Sequence, residues 1–138
     1  MYLLDTSILI KWLRRDLRAR ELLNSLPLDQ TSISEITAFE ILVGVRSNKQ
    51  QGIALNLLAE FNRLSVIEDV SSTASYLVIK YPGIFDRKQT HTLFDAFIAA
   101  TGWVHKLEII TLNSSHFASL KEPRLKIRVL DDKAENWV

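Results

Sequence analysis

No cysteine occurs among the 138 residues, so disulfides and thiolate zinc sites are excluded, and a reducing cytoplasm suits the chain. Glycine and proline are scarce, at four and three residues, and no internal repeat, low-complexity stretch or linker stands out. None of the patterns G-x-G-x-x-G, G-x-x-x-x-G-K-[ST] or G-x-S-x-G is present, which disfavours P-loop and α/β-hydrolase chemistry. An excess of one charge is missing too. The net value of +1 argues against a protein that holds nucleic acid by bulk positive charge. Long apolar runs are lacking: Leu93 to Val104 is too short to span a bilayer and contains Asp95. Asp5 and Thr6 interrupt the first apolar run, and no small-residue cleavage site follows. The chain reads as soluble, unexported and cytoplasmic, with no membrane partner.

What is present is an ordinary globular composition, 47% hydrophobic and 24% charged. The length predicts a single domain over 1–138 that buries roughly two-thirds of its unfolded surface. Tyr2 to Leu4 reads as a strand, followed by a helix from about Thr6 to Leu26 with a break near Asp16. Thr31 to Ile33 is extended, and Ser34 caps a helix reaching Arg46. Its inward stripe reads as Ile36, Glu40 and Val43. A helix over 51–63, a strand over Ser65 to Glu68, and a helix capped by Ser71 or Ser72 follow. A helix from Leu93 to His105, a buried strand over Glu108 to Thr111, and an alternating strand from Arg124 to Leu130 complete the chain. Strands separated by helices predict an α/β fold with a mostly parallel central sheet of four to five strands flanked by helices. Sites in such sheets form beyond the carboxyl ends of the strands, where Asp5 and Asn113 fall.

Three acids stand in apolar surroundings. Asp5 ends the first strand, Glu40 interrupts a helix stripe, and Asp95 opens the most apolar helix. Such carboxylates are costly unless something positive offsets them, and a group of them raises its own pKa values. A divalent cation resolves both problems. Structural alternatives exist for each: Asp5 as an N-cap, Glu40 paired with Arg46, and Asp95 in a capping box begun by Thr92. Asn113 offers a neutral oxygen or a turn residue. His91, His105 and His116 lack ligand spacing and read as surface or satisfied groups, with His91 and His116 as outside candidates for polar contacts near the site. Arg14, Arg15, Arg18 and Arg20, and separately Arg124, Lys126 and Arg128, read as solvated faces or as a rim for phosphates.

Four segments occur in order: Tyr2-Leu3-Leu4-Asp5-Thr6-Ser7, Ser34 to Gly44 around Glu40, Asp95-Ala96-Phe97-Ile98-Ala99-Ala100-Thr101, and Ile110-Thr111-Leu112-Asn113 through His116-Phe117. Together they resemble the PIN domain, specifically the VapC-type toxins of toxin–antitoxin systems, over nearly the whole chain. The resemblance implies a PIN-like α/β/α sandwich and an endoribonuclease dependent on Mg²⁺ or Mn²⁺. By position, the family's acids correspond to Asp5, Glu40 and Asp95, its fourth site to Asn113, its hydroxyl to Thr111 and its small polar residue to Thr6. Asp5 and Asp95 are the implied metal ligands, with Glu40 as ligand or as orienter of a water.

The resemblance further implies an RNA substrate (tRNA or rRNA), a VapB-like antitoxin seated in a groove, and a homodimer. Val43, Leu55, Leu58 and Phe61 supply an apolar surplus for those contacts beside their role in the core. Lys11, Arg15 and Arg46 are the candidate phosphate contacts. Two departures matter: Leu112 replaces a common Arg, removing one phosphate contact, and Asn113 in place of Asp favours one well-held cation over two. Two other readings compete, a catalytically silent PIN-like binding module and a phosphoacceptor receiver-like domain.

Overall fold

The computed structural model describes all residues, Met1–Val138. Its centre is a five-stranded, wholly parallel sheet of β1 (Tyr2–Leu4), β2 (Thr31–Ser34), β3 (Asn62–Leu64), β4 (Glu108–Thr111) and β5 (Lys126–Val129), in the order β3-β2-β1-β4-β5. Alternation along each strand sends successive side chains to opposite faces. Leu4, Ile33 and Ile110 therefore join one core, while Leu3 and Ile109 join the other. The first core is covered by α1 (Thr6–Leu13), α2 (Leu17–Ser25), α3 (Glu35–Gly44) and α4 (Asn48–Ala59). The second lies under α5 (Glu68–Lys80) and α6 (Thr90–His105), with the short α7 (Ser114–Phe117) contributing Phe117. This is the expected α/β/α sandwich, with every strand pair parallel.

The break near Asp16 is real. Arg15 adopts a left-handed conformation (φ 64°), the Asp16 amide reaches back to the Lys11 carbonyl, and the Asp16 side chain then caps α2 at the Arg18 amide. Arg18 does not face outward for phosphate. Its guanidinium binds both Asp16 oxygens and the Asp132 and Ala134 carbonyls, and lies 4.3 Å from the Trp137 ring, tying the C-terminal tail to the first core.

Several boundaries differ from the sequence expectation. The strand expected over Ser65 to Glu68 lies instead at Asn62–Leu64, because α4 stops at Ala59. As an edge strand, β3 tolerates exposed Asn62 and Arg63 on a surface that needs no apolar run. Helix α5 starts at Glu68, where Glu68 and Asp69 suit the positive end of the helix, rather than behind a serine cap. Helix α6 begins at Thr90, so Asp95 sits in its second turn and does not open it. No capping box forms: the Thr92 hydroxyl donates within the preceding loop to the Asp86 and Gln89 carbonyls, and it accepts the Asp86 amide. On α3 the buried stripe is Thr37, Ala38 and Ile41, leaving Val43 69% exposed. Leu58 and Phe61 are core residues, whereas Leu55 is exposed. Gly102 lets α6 lie against β4, since a Cβ there would stand 2.6 Å from the Ile109 side chain.

Candidate active site

The chain runs β1-β2-β3 to one side of the sheet and then returns to place β4 on the other side of β1. The carboxyl ends of β1 and β4 thus form the switch point at which parallel sheets open a crevice. Asp5 follows β1 directly. Although it precedes α1, its side chain makes no capping bond. Asp5 Oδ2 instead accepts from Thr111 Oγ1 at 2.6 Å and from Ser7 Oγ at 2.8 Å, while Ser7 Oγ accepts the Leu112 amide. Asp5 is 2% exposed, and its Oδ1 has no hydrogen-bond partner. Burial raises its pKa, outweighing the Thr111 and Ser7 hydrogen bonds and the weaker pull of the Thr6 and Ser7 amides.

Glu40 is half-buried and bonded to Thr6 Oγ1 at 2.8 Å, with Thr37 Oγ1 3.0 Å from the same hydroxyl. Arg46 is not its partner; the Arg46 amide binds Gln50. Burial pushes the Glu40 carboxyl up to about 7, against the Thr6 hydrogen bond and with the negative charges of Asp95 and Asp5 adding to the rise. Phe39 and Phe94 meet edge-on with centroids 5.7 Å apart, which draws α3 to α6 beside Glu40 and Asp95.

Asp95 is 8% exposed and is pushed up to about 6, first by burial and then by Asp5, with His116 and His91 acting in the opposite direction. Its Oδ2 accepts from Asn113 Nδ2 at 3.1 Å and is in direct contact with His116 Nδ1. Asn113 caps α7: its Oδ1 accepts from Ser115 Oγ and the His116 amide, so the neutral oxygen expected for a cation or its water is engaged locally.

The structure therefore brings Asp5, Glu40, Asp95, Thr6, Thr111 and Asn113 into one neighbourhood where the acids sense one another. It does not gather three or more acids and histidines into a closed ligand shell. The fit to a hard divalent cation rests on the donors themselves: carboxylate oxygens, one buried and unpartnered, with hydroxyls behind them.

His116, only an outside candidate in the sequence for polar contacts near the site, meets Asp95 and Asn113 there. Its position three places after Asn113, inside the fourth segment, was the available signal. His91, four residues before Asp95, is exposed and lies with its ring centroid 6.0 Å from that of His116. The cations named for phosphate are less well placed. Lys11 forms an ion pair with Asp132 at 3.1 Å, Arg15 occupies the bend after α1, and Arg46 is exposed beyond α3. Arg14 instead lines a groove of about 320 Å³ with Glu40, Ile10, Leu13 and Ile53.

Comparison with known proteins agrees with this fold. A model of the PIN domain matches residues 2–123. The chain is 30% identical over 126 residues to ribonuclease VapC10 of Mycobacterium tuberculosis, covering 88% of this chain and 90% of that protein. Among solved structures it is similar to a toxin–antitoxin complex from Klebsiella pneumoniae, with a TM-score of 0.74 and 32% identity over 91% of this chain and 95% of that one. FitAcB from Neisseria gonorrhoeae gives a TM-score of 0.69 and 26% identity, covering 92% and 96%. The receiver-like reading falls with these matches, since Glu40 on a mid-chain helix and the family match leave it no support. The chain belongs to the PIN domain family, within its VapC group.

Proposed function

We propose that this protein is a metal-dependent endoribonuclease, the toxin member of a toxin–antitoxin pair, acting as one PIN domain over 1–138 in the cytoplasm. The observation that carries the reading is the unpartnered, buried Oδ1 of Asp5 beside two further acids whose pKa values are raised. The printed activity of VapC10 and the toxin–antitoxin assembly of the Klebsiella relative support the same class.

Asp5 and Asp95 would hold Mg²⁺ or Mn²⁺, with Glu40 completing the acidic wall. When bound, such a cation lowers the pKa of a water and neutralises charge on a phosphodiester undergoing hydrolysis. Thr111 and Ser7 fix Asp5 by donating to its Oδ2, which leaves Oδ1 as the oxygen that would bind a cation. Asn113 and His116 fix Asp95 in the same manner through its Oδ2. Thr6 orients Glu40 toward the shared space. Water attacks phosphorus and the 3′-oxygen leaves, giving a 5′-phosphate and a 3′-hydroxyl.

The substrate is RNA of the tRNA or rRNA class, and a VapB-like antitoxin silences the enzyme. The family resemblance implies a homodimer, for which exposed Val43 and Leu55 are available apolar positions. The deciding experiment incubates antitoxin-free protein with total RNA and Mn²⁺ or Mg²⁺. Cleavage that EDTA and Asp5→Asn both abolish supports the reading. Intact RNA with every divalent cation would establish the silent binding module instead.

A further inference from the structure

At the edge of the sheet where the strands begin, away from the acids, lies a surface cleft of about 720 Å³. Ser72, Thr73, Trp103, Lys106, Arg124 and Lys126 line it. Lys106 is the left-handed residue that ends α6, Lys126 opens β5, and Arg124 sits in the turn just before that strand, where the Leu125 amide bonds the Glu122 carbonyl. All three cations are exposed, and none forms an ion pair, whereas Arg128 further along β5 is paired with Glu108. The Ser72 and Thr73 hydroxyls are likewise not engaged by other side chains. Asp69 is the one acid in the lining, so the cleft carries an excess of two positive charges. Half-buried Trp103, held edge-on by Tyr76 at 5.8 Å, supplies an aromatic wall.

We infer that this cleft is an accessory binding site for the sugar–phosphate backbone of the substrate RNA. The inference rests on the ribonuclease reading above. Cations that line one groove beside an aromatic ring suit phosphates with a stacked base. A net charge of +1 provides no general attraction for RNA, and the acid pocket repels phosphates. Lys11 and Arg18 are tied to Asp132 and Asp16. A grip on a second stretch of backbone therefore has to lie elsewhere, and this cleft has the charge for it. The strands separating it from the acids are three or four residues long, about 10–13 Å, a distance that a folded or extended RNA bridges.

The test measures binding of fluorescein-labelled oligouridines of about 30 and about 8 nucleotides. Wild type is compared with the combined Lys106→Gln, Arg124→Gln and Lys126→Gln variant in EDTA, across salt concentrations. Thermal melts verify folding, and the single variants serve if the combination melts early. The variant is expected to bind the longer RNA about tenfold more weakly, with a salt slope shallower by about two, as three lost phosphate contacts require. The shorter RNA should lose little. Equal affinity and slope in both proteins overturn the site. Labelled polyglutamate that binds wild type but not the variant, with RNA unaffected, also overturns it and assigns the cleft to an acidic protein segment. Cleavage of total RNA by wild type with Mn²⁺ is followed in parallel. Failure to cleave with variant-sensitive binding removes the enzyme reading alone, and cleavage with variant-insensitive binding removes the cleft alone.

Discussion

Two regions of this molecule shelter carboxylates, and they do so in opposite ways. Glu122, 9% exposed, receives hydrogen bonds from Lys80 Nζ at 2.7 Å, Tyr81 Oη at 2.5 Å and Tyr76 Oη at 3.3 Å. Those partners cover it like a lid at the surface rather than at depth, and the Lys80 and Tyr81 hydrogen bonds hold its pKa below the ordinary value. Asp5, Glu40 and Asp95 lie deeper, have no Lys or Arg among their side-chain partners, and are all raised. A carboxylate whose charge is matched stabilises the fold; a group whose charge is unmatched is maintained at the expense of stability, which is the signature of a functional site.

The largest test of that contrast is a pair of substitutions. Asp95→Asn should lower RNA cleavage by about a thousandfold or more, since it removes a proposed cation ligand, while raising the melting temperature of the metal-free protein. Glu122→Gln should do the reverse, lowering the melting temperature by a few degrees and retaining cleavage. Parallel melts and cleavage rates check both, and a destabilised Asp95→Asn would erase the distinction.

Cation affinity should depend on pH in a direction set by the raised groups. Protons compete with the cation at Asp95, near 6, and at Glu40, near 7. Mn²⁺ affinity should therefore strengthen up to about tenfold per pH unit between about 5.5 and 7 and level off above, read by calorimetric titration. Saturating Mn²⁺ should also raise wild-type stability by about 2–3 kcal/mol at a hundred times Kd, with little effect on Asp95→Asn.

Metal-free stability should move the other way. A carboxyl with a folded pKa above its unfolded value binds more protons when folded. Its penalty is absent below about pH 4 and grows as pH rises through 6 to 7. Urea unfolding in EDTA should show a loss of about 1–3 kcal/mol from this site between pH 4.5 and 7.5, reduced in Asp95→Asn. A change of the same size in that variant would place the titration elsewhere.

Much of this was legible because local chemistry decides it. Tyr2-Leu3-Leu4 and Glu108 to Thr111 are short apolar runs next to polar punctuation, which only a buried strand accommodates. Asp5 and Thr111 follow from those strands. Residues 62–64 were unreadable as a strand because an edge position places no demand on apolar side chains. On α3, Ile36 and Glu40 do face inward, but Val43 was misassigned because 3.6-residue spacing fits adjacent stripes equally well, and only the sheet selects between them. His116 stood only as an outside candidate since its contact with Asp95 spans two elements. Arg18 looked available for phosphate until the C-terminal tail folded back upon it.

Composition, apolar periodicity and the placing of the acids were enough to determine the class of fold and the edge at which the acids gather, because each depends on neighbours in sequence; the family came from the resemblance of four whole segments. Tertiary structure alone decided which oxygen of Asp5 is left without a partner, that His116 meets Asp95, and which cations are occupied by ion pairs. Those outcomes depend on groups far apart along the chain, 106 residues for Thr111 and Asp5 and 114 for Arg18 and Asp132, and their pairing is set by how the helices settle on the sheet.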